Sequence, residues 1–434
     1  MTKETLISQA MIVKNEEKNI ERALSWGKDI MMERIVVDTG STDRTVDVAV
    51  TMGAKVYHFD WIDDFSAAKN FAVEKCSGDW IAFLDADEYI TDDVKKISRI
   101  IEEAEKDGCS VIAAQLLNIN DEGKIIGSMT QARFFKNHVG ICYQGRIHEH
   151  LSSKEPVKIY DGTTELHIFH TGYSESAHKE KNKDEKYKVL LEKEIEDKPY
   201  NADNYGYLGD IYAGESEFEK AEELYFKAMK LMSTEVSGES GRRGNTLRNL
   251  LLILGGYNYR TEELLQVYRL ACSILPQDAD FPCMAGEHFY RYRNYQEAKK
   301  YYKCALETYE RFGAYLKSDY VDSHLIEIHS KLANSYYQCE EYLAAIKVSL
   351  IVLKADKYNA ELMRILLLCI DRLDKSGTAG YGLKEETELL CRLYDFGSLR
   401  DKAFIYVIAK KLELQGLTGY IRSISSDTEM KVME

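Results

Sequence analysis

The period of the apolar residues changes along the chain, and this change constrains the fold more than any other feature. In the first 115 residues, short apolar runs alternate with stretches that have helical spacing. Strands and helices that alternate in this way predict βαβ units and a mainly parallel sheet. Beyond about residue 180, long charged and tyrosine-rich helical runs take over. The sequence therefore predicts an α/β domain followed by an all-α domain.

The apolar runs and helical stretches of the first part can be assigned one by one. The predicted strands are Leu6–Val13, Arg34–Val37, Lys55–Phe59, Trp80–Leu84 and Val111–Leu116. The predicted helices between them are Glu17–Trp26, Asp43–Met52, Ser66–Lys75 and Asp92–Lys106, several of which open with a capping Ser, Thr or Asp. Ligands of such sheets bind beyond the C-terminal ends of the strands. The residues that follow each apolar run are therefore the candidates for a site.

A set of small and aromatic residues recurs in the second part of the chain. Tyr268 and Ala271 reappear 34 residues later as Tyr302 and Ala305. This period, with small residues where two helices meet and aromatic residues between hairpins, resembles tetratricopeptide repeats. The matching sets are Tyr205, Leu208, Gly209, Tyr212, Ala221, Tyr225 and Ala228; Tyr268, Ala271, Pro276, Ala285, Gly286, Phe289 and Ala298; and the more degenerate Leu332, Ala333, Tyr336, Ala345 and Val352. Stacked hairpins of this type commonly hold a peptide or protein, or they only stabilise or dimerise the chain.

These patterns divide the chain into four predicted segments. Residues 1–175 form the α/β domain, and residues 176–199 form a connecting helix from Glu180 to Glu196. Residues 200–370 hold the repeats. Residues 371–434, where Gly377, Gly380 and Gly382 mark a loop, form helices that cap the repeats.

Composition excludes several classes of protein. With 57 Lys plus Arg against 72 Asp plus Glu, the net charge of −15 argues against a general nucleic-acid binder. The N-terminus lacks the features of a secretory signal, and no run approaches the 18 or so apolar residues of a membrane span. Nine cysteines without a CxxC pair fit reduced, mostly buried thiols. We therefore expect a cytoplasmic protein without a membrane span, and a homodimer is compatible with the sequence.

Three polar clusters follow three of the predicted strands. They are Lys14 to Glu17, Asp38 to Asp43, and Asp85 to Glu88. Neither GxGxxG nor GxxxxGK[ST] is present, so the dinucleotide and P-loop fingerprints are missing. The Asp-x-Asp step at the end of a buried strand supplies hard oxygen ligands for Mg²⁺ or Mn²⁺ and leaves coordination sites for substrate phosphates. Alone this step is weak evidence, because acidic pairs are common on solvated loops.

The context of the Asp-x-Asp step is more specific. The runs MIVKNEEKNIERAL, IVVDTGSTDRTVDVA, DFSAAKNFA and GDWIAFLDADEYI resemble, in order and spacing, the inverting family 2 glycosyltransferases with a Rossmann-like GT-A fold. The match covers about residues 5–95. The resemblance implies that the metal binds Asp87, that Asp85 contacts the nucleotide or sugar, and that Glu16 and Asp38 contact the base and ribose. It implies nucleotide-sugar contacts for Val13, Asn15, Ser41, Lys69, Ala86 and Arg133 as well.

Two positions depart from the family pattern. Asp38-Thr39-Gly40-Ser41 stands where many members have DDGS, and Lys69 stands where many relatives have Arg. Both changes keep the carboxylate and the positive charge. For two residues a structural role competes with the functional one, because Asp43 also fits a helix cap and Lys69 also fits a solvated surface.

A second resemblance covers most of the chain. The runs ARFFKNHVGICYQGRIHEHL and HIFHTGYSES, together with the domain order, resemble the subgroup that carries tetratricopeptide repeats, including bacterial enzymes that glycosylate Ser or Cys of glycocin peptides. An inverting transfer needs a base beside the acceptor. We assign that role to Glu149, flanked by His148, and a second metal ligand to His170. Alternatively, these three residues form a hydrogen-bonded network. Arg133 and Arg146 are candidates to neutralise the leaving diphosphate, or they form structural pairs.

The sequence thus predicts a glycosyltransferase that uses Mn²⁺ or Mg²⁺ and moves a hexose, glucose by preference, from a UDP-sugar to a peptide or protein held by the repeats. One alternative keeps the catalytic domain but supplies a saccharide or lipid-linked acceptor. Another is a scaffold with a degenerate transferase domain. The intact set Glu16, Asp38, Asp85 and Asp87 disfavours the scaffold.

Overall fold

The computed structural model describes residues 5–91, 94–171, 182–233, 240–256, 260–313 and 318–434. The chain divides into two compact units, Met1–Tyr200 and Asn201–Glu434. The first unit combines a sheet with helices and the second contains helices in its described residues, which confirms the predicted fold class. The helix predicted to connect the domains lies in the first unit, and its predicted start at Glu180 falls outside the described residues, as does Asp92.

The elements of the first unit follow one another in the order expected for an α/β domain. Its strands are β1 (Ile7–Val13), β2 (Met31–Asp38), β3 (Lys55–His58), β4 (Trp80–Phe83), β5 (Glu88–Tyr89), β6 (Val111–Ile119), β7 (Ile125–Lys136), β8 (Cys142–Gln144), β9 (His150–Ser152), β10 (Ile159–Asp161) and β11 (His167–His170). Its helices are α1 (Ile20–Ser25), α2 (Thr45–Thr51), α3 (Phe65–Glu74), α4 (Val94–Lys106) and α5 (Asn182–Asp197).

The main sheet of the described residues has the strand order β3-β2-β1-β4-β7-β6-β11-β5, and β10 also pairs with β6. Strands β3, β2, β1 and β4 are parallel neighbours, whereas β7 is antiparallel to both β4 and β6. The parallel part places the ends of β1, β2 and β4 at one edge, where the three polar clusters meet. Strands β8 and β9 form a separate two-stranded sheet.

All five predicted strands are present, but the long strand β7 and the short strands β5 and β8 to β11 were not predicted. The first seven residues of β7, IIGSMTQ, are half-buried or exposed and do not alternate between apolar and polar positions. Only Phe134 and Phe135, near its end, are fully buried. A strand that is mostly outside the core has a weak hydrophobic pattern. Only the short apolar run near the end of β7 could have indicated a strand from the sequence.

The sheet has an apolar layer on each face. One layer joins Trp80, Phe134 and Ile168 to residues of α4. The other joins Phe83 and Phe135 to residues of α3 and to Tyr143 of β8. Burying an aromatic side chain of this size contributes about 2–3 kcal/mol. The buried end of β4, which carries residues of both layers, therefore anchors the Asp85-Ala86-Asp87 step that follows it.

The second unit consists of consecutive helices. They are α6 (Ala202–Gly214), α7 (Phe218–Leu231), α8 (Ser240–Gly256), α9 (Thr261–Ile274), α10 (Asp280–Arg291), α11 (Tyr295–Phe312), α12 (Asp319–Gln338), α13 (Tyr342–Ala355), α14 (Ala360–Lys375), α15 (Leu383–Cys391), α16 (Leu399–Lys411), α17 (Gln415–Ser423) and α18 (Asp427–Met433). The predicted glycine-containing loop lies between α14 and α15. Among the described residues, no helix has the length and apolarity needed to cross a bilayer.

Close helix contacts explain the small residues of the repeats. A Cβ atom added to Gly209 would lie 2.5 Å from the ring of Tyr225, and one added to Gly286 would lie 2.8 Å from the ring of Tyr302. Both tyrosine side chains are fully buried. The glycines are therefore required by the packing of α6 on α7 and of α10 on α11, as the repeat pattern predicts.

Candidate active site

The end of β2 forms a tight loop around Asp38. The Asp38 carboxylate is buried and accepts hydrogen bonds from the backbone N–H groups of Gly40 (3.2 Å) and Ser41 (3.0 Å). Burial alone would raise the pKa of Asp38, but the hydrogen bonds from Ser41 and Gly40 lower it below its ordinary value. The Ser41 Oγ accepts from the Asn15 N–H at 2.9 Å, which links this loop to the end of β1. The loop therefore presents an ionised carboxylate at the edge of the sheet.

The residues after β1 are held by the same loop. Asn15 has a left-handed backbone (φ 58°), and its side-chain oxygen accepts from the Thr42 N–H at 2.8 Å. The Glu16 side chain accepts from Asn19 at 2.8 Å. Asp43 accepts from the backbone N–H groups of Thr45 (3.0 Å) and Glu17 (3.2 Å). Asp43 thus stabilises the start of α2, although the N-cap position itself is Arg44.

Four of the predicted site residues meet in one cluster at the end of β4. Lys69 Nζ lies 3.2 Å from Asp85 Oδ1 and 2.7 Å from Glu149 Oε1. Arg133 Nη2 lies 2.9 Å from Asp85 Oδ2. Lys69 is only 3% exposed, so its alternative role as a solvated surface residue is wrong. Burial alone would lower the pKa of Lys69, but the carboxylates of Asp85 and Glu149 raise it overall.

A β-bulge aims Arg133 at this cluster. In the pairing of β6 with β7, Ile112 faces Phe134 but the next residue, Ala113, faces Ala132, so Arg133 is the extra residue. Bulges redirect side chains and are common beside active sites. Arg133 contacts Glu88 as well as Asp85. Burial raises the pKa of Glu88, and the nearby charge of Asp85 adds to that rise against the opposing effect of Arg133.

Asp87, His170 and Asn118 form a second, smaller cluster. Asp87 Oδ2 is 3.2 Å from His170 Nε2, and His170 Nδ1 is 2.8 Å from Asn118 Oδ1. Burial alone would lower the pKa of His170, but the hydrogen bond and the charge of Asp87 raise it by more. The pKa of His170 therefore lies above its ordinary value. Asn118 was not identified from the sequence, because an isolated Asn at the end of a strand carries no local pattern.

The Asp87–His170 pair fits a divalent cation in its donor chemistry. A carboxylate and an imidazole nitrogen suit Mn²⁺, and a hydrogen bond from the other ring nitrogen to an oxygen such as that of Asn118 orients a ligating His. The described residues contain no group of three or more His, Cys, Asp or Glu arranged to hold a metal by themselves. The pair would therefore supply two protein ligands and leave other positions for water and phosphate oxygens.

Helix α3 fixes the segment that carries Glu149. The Asn70 side chain donates to the Tyr143 carbonyl at 2.9 Å and accepts from the Tyr143 N–H at 2.8 Å. The Ser66 hydroxyl donates to the Gly145 carbonyl at 2.6 Å. His148, next to Glu149, has a left-handed backbone (φ 53°). These contacts turn the chain so that Glu149 reaches Lys69.

One buried group at this cluster was not singled out from the sequence. The Tyr143 hydroxyl is buried and has no hydrogen-bond partner among the described residues, and the ring centroid of Tyr143 lies 5.2 Å from Lys69 Nζ. Burial raises the pKa of Tyr143. Because buried polar groups are nearly always paired, an unpaired one at a charged cluster is a candidate contact for a ligand or for a rearranged side chain.

The remaining predicted residues are divided between the site and the surface. Val13 and Ala86 are both buried in one apolar cluster under the sheet edge. Arg146 pairs with Asp197 (2.7 Å) and Glu194 (3.6 Å) of α5, so it has the structural pairing considered as its alternative role. Gly172 and Tyr173 of the run HIFHTGYSES lie outside the described residues.

Comparisons with known proteins agree with this arrangement. Residues 8–180 match the family model for glycosyl transferase family 2. A tetratricopeptide repeat-containing protein of Synechococcus elongatus is 31% identical over 231 residues, which are 52% of this chain and 56% of that protein. The prophage-derived glycosyltransferase SunS of Bacillus subtilis is 28% identical over 198 residues, 45% of this chain and 46% of that protein. The chain thus spans about half the length of these curated relatives.

Among solved structures, glucosyl-3-phosphoglycerate synthase of Mycobacterium tuberculosis, crystallised with Mn²⁺, UDP and glucosyl-3-phosphoglycerate, aligns with 23% identity and a TM-score of 0.22. The alignment covers 27% of this chain and 45% of that one. The family match covers the sheet, the Asp85–Asp87 step and Glu149. The N-terminal domain of this chain is thus similar to glycosyl transferase family 2 over residues 8–180, and tetratricopeptide-like helices follow it.

Proposed function

We propose that this protein is a metal-dependent, inverting hexosyltransferase that transfers a sugar, glucose by preference, from a UDP-sugar to a Ser or Cys side chain of a peptide or protein. The observation that carries the proposal is the cluster at the end of β4, where Asp85, Lys69, Arg133 and Glu149 are in contact. It lies within the region that matches the family. The choice of UDP, of glucose and of a peptide acceptor is supported by the resemblance of the sequence motifs.

A divalent cation, Mn²⁺ or Mg²⁺, is part of the proposal. Asp87 and His170 would hold it, and Asn118 would orient the imidazole of His170. When bound, the cation would neutralise negative charge on the donor diphosphate. Asp38, Glu16 and Asn15 would bind the nucleoside at the neighbouring strand ends, and Ser41 would keep Asp38 in position.

Glu149 is the proposed general base. It would accept the proton of the acceptor hydroxyl or thiol while the acceptor atom bonds to the anomeric carbon and the bond from that carbon to the UDP oxygen breaks. UDP leaves with the electron pair of that bond. His148 is adjacent and completes the proposed catalytic pair. The Glu149 side chain is 17% exposed, and a positive partner offsets the cost of removing a carboxylate from water.

Lys69 supplies that positive partner. The family resemblance implied a nucleotide contact for Lys69, but its ammonium group is 2.7 Å from Glu149 and almost fully buried. We therefore assign Lys69 to positioning of Glu149 and Asp85, with Arg133 as the second cation on Asp85. Because Arg133 contacts Asp85 whereas Arg146 is engaged by α5, we keep Arg133 as the arginine that would neutralise the leaving diphosphate.

The nine cysteines are all free thiols, which supports the cytoplasmic location in this proposal.

The repeats are proposed to hold the acceptor. A transferase of saccharides or lipid-linked glycans would share the same donor site. Deleting the repeats distinguishes the two, because transfer to a saccharide or lipid would survive the deletion.

A direct experiment is to incubate the full chain with Mn²⁺, a panel of UDP-sugars and synthetic Ser- and Cys-containing peptides, and to measure peptide masses. The proposal predicts a gain of one hexose that requires the metal and is lost in Asp87→Asn. Thermal shift with UDP and Mn²⁺ provides the binding control. No mass gain together with an unchanged melting temperature would favour the scaffold and contradict the proposal.

A further inference from the structure

Tyr143 occupies a fixed position beside the cluster at the end of β4. Its backbone C=O accepts from the Asn70 side chain at 2.9 Å, and its backbone N–H donates to that side chain at 2.8 Å. Its ring contacts the rings of Phe83 and Phe135 edge-on, with centroids 5.1 Å and 5.9 Å away. Tyr143 is only 5% exposed. Because both the backbone and the ring are held, the hydroxyl group has one place in the fold.

The Tyr143 hydroxyl lies among charged side chains. The ammonium group of Lys69 is 5.2 Å from the centroid of the Tyr143 ring. Burial raises the pKa of Tyr143, and the charges of Lys69 and Arg133 oppose that rise. The charges of Asp85 and Glu149 add to it. Because the interaction between charges weakens with distance, the hydroxyl is close to all four of these groups.

Two donors of this cluster are left without acceptors. The Tyr143 hydroxyl and Arg133 Nε are both buried, and neither has a hydrogen-bond partner in the part of the chain that the structure describes. Buried donors are almost always paired, because an unpaired one has lost its bonds to water without replacement. Two such donors in one cluster therefore indicate that an acceptor atom is supplied from outside the chain.

The surroundings of the hydroxyl favour a neutral acceptor atom over an anionic one. Lys69, which lies against the Tyr143 ring, already contacts the carboxylates of Asp85 and Glu149. An anionic oxygen placed there would be repelled by both carboxylates. A hydroxyl group avoids this conflict, because its oxygen accepts a hydrogen bond while its hydrogen donates to a carboxylate. A ligand that carries hydroxyl groups, such as a sugar, matches this requirement.

Asp85 is the member of this group that faces solvent most. Its side chain is 36% exposed, compared with 17% for Glu149 and 4% for Lys69. A ligand therefore meets Asp85 first, and it reaches the buried hydroxyl of Tyr143 only when a side chain of the cluster moves.

We propose that Tyr143 is a specificity-determining residue, whose hydroxyl donates a hydrogen bond to one hydroxyl oxygen of the sugar on the UDP-sugar donor, while that sugar hydroxyl donates to Asp85. This inference rests on the proposed function, because it assigns a contact to the sugar that is transferred. The Tyr143 hydroxyl is then unpaired in the free protein and paired in the complex. Removing it should therefore stabilise the free protein and weaken the recognition of the sugar, two effects of opposite sign.

Two tyrosine variants test this pair of effects. Tyr143→Phe deletes the hydroxyl and keeps the ring. Tyr160→Phe is the matched control in the same unit, because the Tyr160 hydroxyl is paired and donates to Glu103 at 2.8 Å. The probes are UDP-glucose and its analogues that each lack one sugar hydroxyl. Three quantities are measured on the full chain: the melting temperature without ligand, the binding of UDP with Mn²⁺, and the hydrolysis of each UDP-sugar without acceptor.

We expect Tyr143→Phe to raise the melting temperature by about 2–4 °C and Tyr160→Phe to lower it by a similar amount. Tyr143→Phe should leave UDP binding unchanged and slow the hydrolysis of UDP-glucose by about tenfold. In the native protein one analogue should lose about tenfold against UDP-glucose, and Tyr143→Phe should abolish that difference.

A lower or unchanged melting temperature in Tyr143→Phe would overturn the inference, because the hydroxyl would then have a partner in the free protein. Native discrimination among the analogues that persists in Tyr143→Phe would overturn it as well. These outcomes differ from a failure of the proposed function, in which the native protein itself hydrolyses no UDP-sugar.

Discussion

Partly buried acids serve two different purposes in the two units of this protein. In the repeat unit, Glu287 accepts a hydrogen bond from Tyr302 at 2.7 Å and pairs with Lys331 at 2.6 Å. Asp210 has the same arrangement with Tyr225 at 2.8 Å and Arg242 at 2.7 Å. Each acid thus has one tyrosine of its own hairpin and one cation of the next helix pair. Such fully satisfied groups stabilise the packing of helices.

At the sheet edge, the acids outnumber their cations. Among the described residues, the carboxylates of Asp85, Glu88 and Glu149 share Lys69 and Arg133. In the part of the chain that the structure describes, the hydroxyl of the buried Tyr143 has no hydrogen-bond partner, whereas Tyr225 and Tyr302 donate to acids. An acid near a cation is therefore not by itself a sign of a functional site. The signal is a shared cation, an excess of negative charge and an unpaired donor in one place.

The largest expected effect is the loss of sugar transfer when Asp87, at the sheet edge, is replaced. Asp87→Asn removes one of two proposed protein ligands for the cation, so transfer should fall at least about 100-fold. The free energy of unfolding should change little, because Asp87 is partly exposed and its side chain contacts His170 only at 3.2 Å. Steady-state transfer with a UDP-sugar and urea unfolding measure the two quantities. A variant with native turnover would show that the cation, if used, binds elsewhere.

The second prediction concerns the shared cation. Lys69→Met should lower turnover by about 10- to 100-fold without weakening UDP binding, because Asp85 keeps Arg133. Lys69→Arg keeps the positive charge, so it should retain most of the activity of the native protein. Combined with Glu149→Gln, Lys69→Met should cause little further loss, since both changes remove one function.

Lys55→Met is the control for Lys69→Met, because Lys55 forms a similar pair with Glu33 at 2.8 Å outside the cluster. It should leave turnover unchanged. If the losses of Lys69→Met and Glu149→Gln multiply, or if UDP affinity falls with Lys69→Met, then Lys69 acts on the nucleotide as the sequence resemblance implied.

The third prediction tests an acid in the second unit that has no cation among its main influences. Burial raises the pKa of Glu386 to about 7, and Asp371 and Asp374 add to the rise. Between about pH 4.5 and 7 the folded chain keeps a proton that the unfolded chain loses, so the free energy of unfolding falls as pH rises through this window. Glu386→Gln should therefore be about 3 kcal/mol more stable than the native protein at pH 8 and nearly equal at pH 4. Equal stability at both pH values would contradict the assignment.

The smallest effect is expected from a single hydroxyl of the repeats. Tyr302→Phe removes the hydrogen bond to Glu287, which still pairs with Lys331. The free energy of unfolding should therefore fall by about 1 kcal/mol. Tyr309→Phe is the matched control at an exposed site, where the hydroxyl contacts Asp322. Thermal unfolding compares the two. Hydrolysis of the UDP-sugar without acceptor should be unaffected in both, and a loss of hydrolysis would place the repeats in the donor site.

Much of this organisation was predictable from the sequence, for physical reasons that apply to particular residues. The strands that end at Val13, Asp38 and Phe83 are buried, so their apolar runs are clear, and the polar residues that follow them are local in sequence. Gly209 and Gly286 mark the helix contacts because their roles depend on a fixed spacing. The positions of these residues follow from patterns that lie within one or two elements.

Other parts depend on contacts between distant segments. The contact of Lys69 with Glu149 joins residues 80 positions apart and required the loop after β8 to turn at His148. Asn118 approaches His170 only because β6 and β11 are neighbours. Arg133 reaches Asp85 through a bulge in a strand whose pattern is weak. Such pairings are set by topology and backbone irregularities, which a single sequence does not reveal.

The central claim is that the sheet edge binds a nucleotide diphosphate through a divalent cation. Calorimetric titration of the full chain with UDP, in Mn²⁺ and then in excess EDTA, tests it most directly. We expect binding that requires Mn²⁺ and that is lost in Asp87→Asn but retained in Lys69→Met. Binding of equal strength in EDTA, or no binding in Mn²⁺, would contradict it.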